Sequence, residues 1–229
     1  MTLRALVFDV DGTLADTERQ GHLPACNAAF AQLGYPVRWS WDEFKALLAV
    51  PGNASRMRQA LAALGVPAVE LDARVDQLVA IKRRLYIEEF LPALPLRAGI
   101  ERLVDEAVSQ GVRLAIVSTS DESQIEALLR SRLGRVARRF DPVLGQRAGV
   151  KTAPDSPLYR RCLELLGGGP DGILAIEDSA PGLKAAHTAG LACAVFYNDY
   201  TFGEAFAGAT LVARSAEPFS LSLLADLCL

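Results

Sequence analysis

Histidine is nearly absent from this chain, with His22 and His187 the only two. A histidine-rich metal centre is therefore excluded, and histidine-based acid–base catalysis has little to draw on. Cysteine is also sparse. Cys26, Cys162, Cys193 and Cys228 are far apart, form no CxxC and stand mostly in apolar surroundings, so buried reduced thiols are expected rather than disulfides or zinc ligands. No apolar run approaches the roughly 20 residues that span a bilayer. The N-terminus lacks a charged region, hydrophobic core and small-residue cleavage site in that order, so a cytoplasmic location and no membrane partner are expected. There is no basic excess, 24 Lys and Arg against 27 Asp and Glu for a net charge of −3, and nucleic acid is not an expected partner.

What the chain does have is apolar residues, 51% of 229, ample for a core in one large domain or two modest ones. Leu3, Ala5, Leu6, Val7 and Phe8 form a hydrophobic run broken only by Arg4, as suits a strand buried on both faces of a parallel sheet. The run stops at two carboxylates, Asp9 and Asp11. In open α/β sheets ligands bind at the carboxyl ends of strands, and Gly12 with Thr13 lets the backbone turn there and offer donors. Turn-forming aspartates would look the same in isolation.

After Glu18 the text is helical as far as Leu91. The spacing predicts a helix over 17–33, bent at Pro24 and closed by Gly34. A second starts at Ser40 with a capping box to Glu43 and is ended by Pro51 and Gly52. A third covers 53–64 and a fourth 69–91, stopped by Pro92 and Pro95. From Arg97 helix and strand alternate, which indicates crossovers in a parallel sheet. Helices are expected over 100–110, 121–132 (capped by Ser120), 157–166, 181–189 and from 221. Strands are expected over 112–118, 142–145, 172–178, 192–196 and 211–213. The first strand must join this sheet, because alone it cannot satisfy its backbone. Residues 1–15 and 95–229 are then an α/β core, and 16–94 an inserted helical domain, expected to act as a lid over the strand end that carries Asp9.

Three further stretches carry chemistry. VSTS ends a strand at Ser118, and a hydroxyl there with free donors at a helix start can cradle phosphate oxygens, whereas taken alone Ser118 to Ser120 read first as helix caps. Lys151, in GVKTAPD, can hold a phosphoryl oxygen and keep a carboxylate ionised, whereas a lone lysine is ordinarily solvated. AIEDSAPGL ends a strand with Glu177 and Asp178. Adjacent carboxylates there are costly without a cation or donors, and oxygen-only ligands suit Mg²⁺. As helix N-terminal charges they would need neither.

FDVDGTLADTE resembles the first signature of the haloacid dehalogenase (HAD) superfamily, and VSTS, KTAPD and AIED resemble its other three in order. Thr152 replaces the first proline of K-P-x-P-D. The resemblance implies an α/β fold, a Rossmann-like parallel sheet core with an inserted all-helical cap domain. It also implies Mg²⁺-dependent phosphoryl transfer. Asp9 would be the nucleophile that forms an aspartyl phosphate, and Asp11 the acid and then the base. Ser118, the Thr119 backbone and Lys151 would hold the phosphate. Mg²⁺ would bind Asp9, the Asp11 main-chain oxygen and Asp178, with Glu177 acting through a water.

The cap resembles the CbbY-type branch of sugar-phosphate phosphatases in DTE with His22, FAQLG, WDEFKALL, PGNASRMR and LRAGI. Pro51 stands where relatives tend to have Gly, and Ala98 where Pro is usual. That likeness implies a phosphorylated sugar, such as xylulose 1,5-bisphosphate. Glu18 and His22 would meet its hydroxyls and Arg56 its distal phosphate, with Arg97 and Lys82 as weaker candidates. A phosphomutase of the β-phosphoglucomutase type and a phosphoglycolate phosphatase are the competing enzymes. A non-catalytic binding protein would be expected to have lost Asp9, Asp11 or Asp178, and none is lost.

Overall fold

The computed structural model describes residues 2–50, 52–152 and 154–228, with residues 227 and 228 described by backbone alone. Expectations placed on Pro51 and on the Cys228 thiol lie outside the described residues. The chain divides into two compact units, one of Met1–Asp16 with Pro95–Leu229 and one of Thr17–Leu94.

The first unit is built on six strands, β1 (Ala5–Phe8), β2 (Arg113–Val117), β3 (Phe140–Leu144), β4 (Ile173–Glu177), β5 (Ala192–Phe196) and β6 (Leu211–Ala213). All pair in parallel in the order β3-β2-β1-β4-β5-β6. β1 is central and every residue in it is buried, as its unbroken apolar run requires. Successive side chains serve opposite faces. Ala5, Val7, Ala115, Val117, Ile173 and Ala175 share a core with residues of α7 (Pro157–Leu165) and α8 (Ala180–Thr188). On the other side α5 (Ile100–Ser109) lies on β2 and α9 (Leu221–Cys228) on β5. The chain order reverses between β1 and β4, so a crevice opens at the carboxyl ends of the central strands.

The second unit is helical: α1 (Leu23–Gln32), α2 (Trp41–Leu47), α3 (Asn53–Ala63) and α4 (Ala68–Leu85). Cys26, Ala29, Phe30, Phe44, Met57, Leu61, Val75 and Leu78 form its core. The Ser40–Glu43 capping box is present in both directions. The single helix expected over 17–33 is a π-helical turn, Glu18–His22, followed by α1, because Pro24 in the first turn of α1 cannot donate to the preceding turn. The helix expected over 69–91 likewise ends at Leu85 and continues as a π-helical turn, Tyr86–Phe90, before Pro92. Ser120 does not cap the following helix, α6 (Glu122–Leu133). Asp121 does, its Oδ1 accepting the Ser123 N–H at 2.9 Å. No helix among the described residues is long and apolar enough to cross a membrane.

Two glycines bracket α5. Gly99, at its start, has φ 86°, and a Cβ there would strike the main chain of Ala216 and Glu217. Gly111, behind its end, has φ 74° with open space around it. Gly111→Ala is expected to cost about 1–2 kcal/mol of left-handed strain. Gly99→Ala should cost roughly 1–3 kcal/mol more, because backbone must move to admit the methyl group. Urea unfolding of the two variants checks the difference.

Candidate active site

Asp9 follows β1 directly, and its N–H donates to the Ile176 carbonyl of β4 at 3.0 Å. That parallel register, Phe8 beside Ile176, brings the ends of the two central strands level. Asp9, Glu177 and Asp178 thereby place carboxylate oxygens within 4.8 Å of one another, all three residues buried. Lys151 enters this cluster from its loop. Its Nζ lies 2.5 Å from Asp9 Oδ1 and 2.8 Å from Glu177 Oε1, with 4% of the side chain exposed. The lysine is therefore not the solvated surface residue that its loop position alone would suggest.

Other donors reach the same three acids. The Thr13 hydroxyl donates to Asp9 Oδ2 at 3.3 Å, the Tyr159 hydroxyl to Glu177 Oε1, and the Asn198 amide to Asp178 Oδ2 at 2.6 Å. Burial dominates the electrostatics. It raises the Asp9 carboxyl above its ordinary range in spite of Lys151, and the Asp178 carboxyl well above it, with Asp9 and Glu177 adding repulsion. Glu177 is pushed up to about 7, again chiefly by burial. Burial acts to lower Lys151, yet the carboxylates of Asp9 and Glu177 hold its pKa above the usual lysine value. Three desolvated carboxylates thus face one ammonium, and the donor set is all oxygen, as a hard divalent cation requires.

Asp11 is half-buried and accepts the Ser120 hydroxyl on Oδ2. Ser118, at the end of β2, is fully buried, and its Oγ accepts the Ser120 N–H at 3.1 Å, leaving its own O–H to donate. Thr119 is exposed. The six expected core residues, Asp9, Asp11, Ser118, Lys151, Glu177 and Asp178, all belong to one unit and lie at the ends of β1, β2 and β4 or in the Lys151 loop.

The expected residues of the helical unit also converge. Lys82 Nζ is 2.8 Å from His22 Nδ1. His22 stacks on Tyr86 with ring centroids 4.2 Å apart, and Lys82 lies over the same ring. Arg56, 7% exposed, donates Nε to the Val50 carbonyl and Nη1 to Asn53, and sits over Phe44. Cys26 feels the charges of Lys82, Glu18 and Arg56 together, although burial dominates and pushes its thiol up to about 12.

Arg97 is a correction. It was expected to meet substrate, but its Nη1 donates to the carbonyls of Gly12 and Phe196 and its Nη2 to those of Tyr197 and Arg214 at 2.7 Å each. Its fork is occupied by the core's own backbone. Sequence reading missed Ser120 as a partner of Asp11, Tyr159 as a partner of Glu177 and Asn198 as a partner of Asp178. Asn198 had a usable signal: Tyr197 to Thr201 is a polar cluster directly after the buried β5, the same context that singled out Ser118 and Asp178.

Comparison with known proteins bears on the family. Residues 3–190 match the family of haloacid dehalogenase-like hydrolases. The chain is 41% identical to the plasmid-encoded protein CbbY of Cupriavidus necator, over 92% of this chain and 84% of that one. CbbY from Rhodobacter sphaeroides, solved in complex with phosphate, superposes with a TM-score of 0.81 at 34% identity, covering 97% of this chain and 99% of that one. An aspartate-to-asparagine mutant of the same protein, solved with xylulose 1,5-bisphosphate, superposes at 0.80 with the same identity and coverage. The family match over residues 3–190 and these relatives show that the chain belongs to the haloacid dehalogenase-like hydrolase family, as a CbbY-like phosphoric monoester hydrolase.

Proposed function

We propose that this enzyme is a Mg²⁺-dependent cytoplasmic phosphatase of a sugar phosphate, with a bisphosphate of the xylulose 1,5-bisphosphate kind as substrate, working through an aspartyl phosphate on Asp9. The observation that carries the reading is the buried group of Asp9, Lys151, Glu177 and Asp178. A carboxylate held in one orientation by a lysine at 2.5 Å and a threonine hydroxyl is oriented to attack phosphorus. One Asp9 oxygen forms a bond to phosphorus while the bond to the sugar oxygen breaks, and Asp11 gives that oxygen its proton. Asp11 then takes a proton from water as the water displaces Asp9, releasing inorganic phosphate. Ser118, the Thr119 backbone and Lys151 hold the phosphoryl oxygens. Asp9, the Asp11 carbonyl and Asp178 would hold Mg²⁺, with Glu177 acting through a water. Bound Mg²⁺ supplies positive charge to the carboxylates and to the transferring phosphoryl group.

Substrate choice is assigned to the helical unit. Glu18, His22 and Lys82 offer both donors and acceptors for sugar hydroxyls, and Arg56 offers Nη2, which has no hydrogen-bond partner among the described residues, to a second phosphate. The xylulose bisphosphate bound by the Rhodobacter relative supports this assignment.

Three outcomes are expected. Asp9→Asn should abolish phosphate release while leaving the fold intact, and hydroxylamine should trap an acyl phosphate in the wild type only. Arg56→Ala should lower kcat/KM for the bisphosphate by about one to two orders of magnitude, the scale of a lost charge-assisted contact of roughly 1.5–3 kcal/mol, while an aryl phosphate is little affected. The third concerns pH. Without a cation, raised carboxyl pKa values mean that the folded chain keeps protons which the unfolded chain has released, so stability falls as pH rises from the ordinary carboxylate range through about 7, where Glu177 ionises. The raised Lys151 pKa has no effect in that window, since its contribution is lost only at higher pH. Mg²⁺ should therefore raise the Tm more at pH 8 than at pH 5, and differential scanning calorimetry with and without EDTA checks this.

A further inference from the structure

The roles assigned above leave Arg97 and Asn198 without a part in the chemistry, yet their contacts meet at one point. Arg97 Nη1 grips the Gly12 carbonyl, in the loop that carries Asp11, together with the Phe196 carbonyl at the end of β5. Its Nη2 holds Tyr197 and, beyond β6, Arg214. The main chain of Arg97 is fixed as well, its N–H donating to the Leu14 carbonyl at 2.8 Å while Leu96 bridges Ala15. One guanidinium therefore ties the first catalytic loop to the loop that follows β5.

That second loop carries Asn198. Its Oδ1 accepts the N–H groups of Tyr200 and Thr201, both at 3.1 Å, which fixes the amide the other way round: Nδ2 points to Asp178 Oδ2 at 2.6 Å. The same Oδ2 and Nδ2 lie against Gly12, where a Cβ would strike both of them and the Tyr200 hydroxyl. Asp178 is thus held from one side, through an oxygen, Oδ2, that faces Gly12 and the Asn198 amide.

We propose that Arg97 and Asn198 are positioning residues forming one bracket, in which Arg97 locks the loop after β5 onto the Gly12 loop so that Asn198 sets the orientation of Asp178 for Mg²⁺. The inference rests on the Mg²⁺ reading given above. A carboxylate ligand whose outer partner is removed can rotate, and loss of such a partner costs about ten- to a hundredfold in metal affinity. Lysine at position 97 keeps the charge but not the fork, so it cannot hold four carbonyls in three separate segments at once.

Calorimetric titration of the metal-free full-length protein with Mg²⁺ tests the bracket directly, without recourse to activity. Asn198→Ala and Arg97→Lys are each expected to raise the Mg²⁺ Kd about ten- to a hundredfold. Because both act through the same loop, the double variant should lose no more than about the larger single effect, and the kcat of Asn198→Ala should recover at saturating Mg²⁺. A lowered Tm with an unchanged Mg²⁺ Kd would make both residues merely structural and overturn the proposal. Losses that multiply in the double variant would overturn the single bracket. Should Arg97→Lys fail to fold, an unchanged Kd in Asn198→Ala is decisive against it. A wild-type protein that binds no Mg²⁺ would instead remove the metal reading on which the bracket rests. Mg²⁺ binding without phosphate release from any sugar phosphate would remove the substrate reading and leave the bracket standing.

Discussion

The ammonium of Lys151, buried between Asp9 and Glu177, is the interaction on which the rest of the site depends. Taking three carboxylates out of water is strongly unfavourable, and a single internal cation at 2.5 and 2.8 Å offsets only part of that cost. The remainder appears as raised carboxyl pKa values at Asp9, Glu177 and Asp178. A cluster in this condition favours a further positive charge, and its all-oxygen lining suits a divalent cation. The same lysine fixes the direction of the Asp9 oxygen that it binds, so charge balance and orientation have one source.

The sheet makes that concentration of charge possible. β1 and β4 are adjacent, parallel and level at Phe8 and Ile176, so the residues that follow them must meet. Small residues then let the walls close in. A Cβ at Gly182 would run into the Glu177 carboxylate, and one at Gly12 into Asp178, so both acids can be covered without being pushed apart. Hydroxyls from Thr13, Ser120 and Tyr159 take up remaining acceptor capacity of Asp9, Asp11 and Glu177. Buried acceptors are seldom left unpaired, and here the pairing also restricts which atoms are available for chemistry.

The helical unit works by different means. Its charged residues are individually supported, Lys82 by the His22 ring and the face of Tyr86, Arg56 by a carbonyl, an asparagine and the face of Phe44. Cations supported in this way are held in one rotamer before any ligand arrives. The packed core of Phe30, Phe44, Met57 and Leu61 gives these side chains a rigid base.

The sequence by itself determined the kind and order of the elements, the parallel sheet with its helical insertion, and the residues at the ends of β1, β2 and β4. It could do so because apolar periodicity and strand-end carboxylates are local patterns, read within ten or so neighbouring positions. Even the lapses there were local: Pro24 turned one helix into two pieces, and Asp121 displaced Ser120 as a cap. Only the tertiary structure decided that Lys151 is buried on Asp9, that Ser120 serves Asp11, that Tyr159 serves Glu177, and that Arg97 binds four carbonyls rather than substrate. Each of those contacts joins separate segments of the chain, and whether two segments meet depends on strand order and register, which no single stretch of sequence encodes.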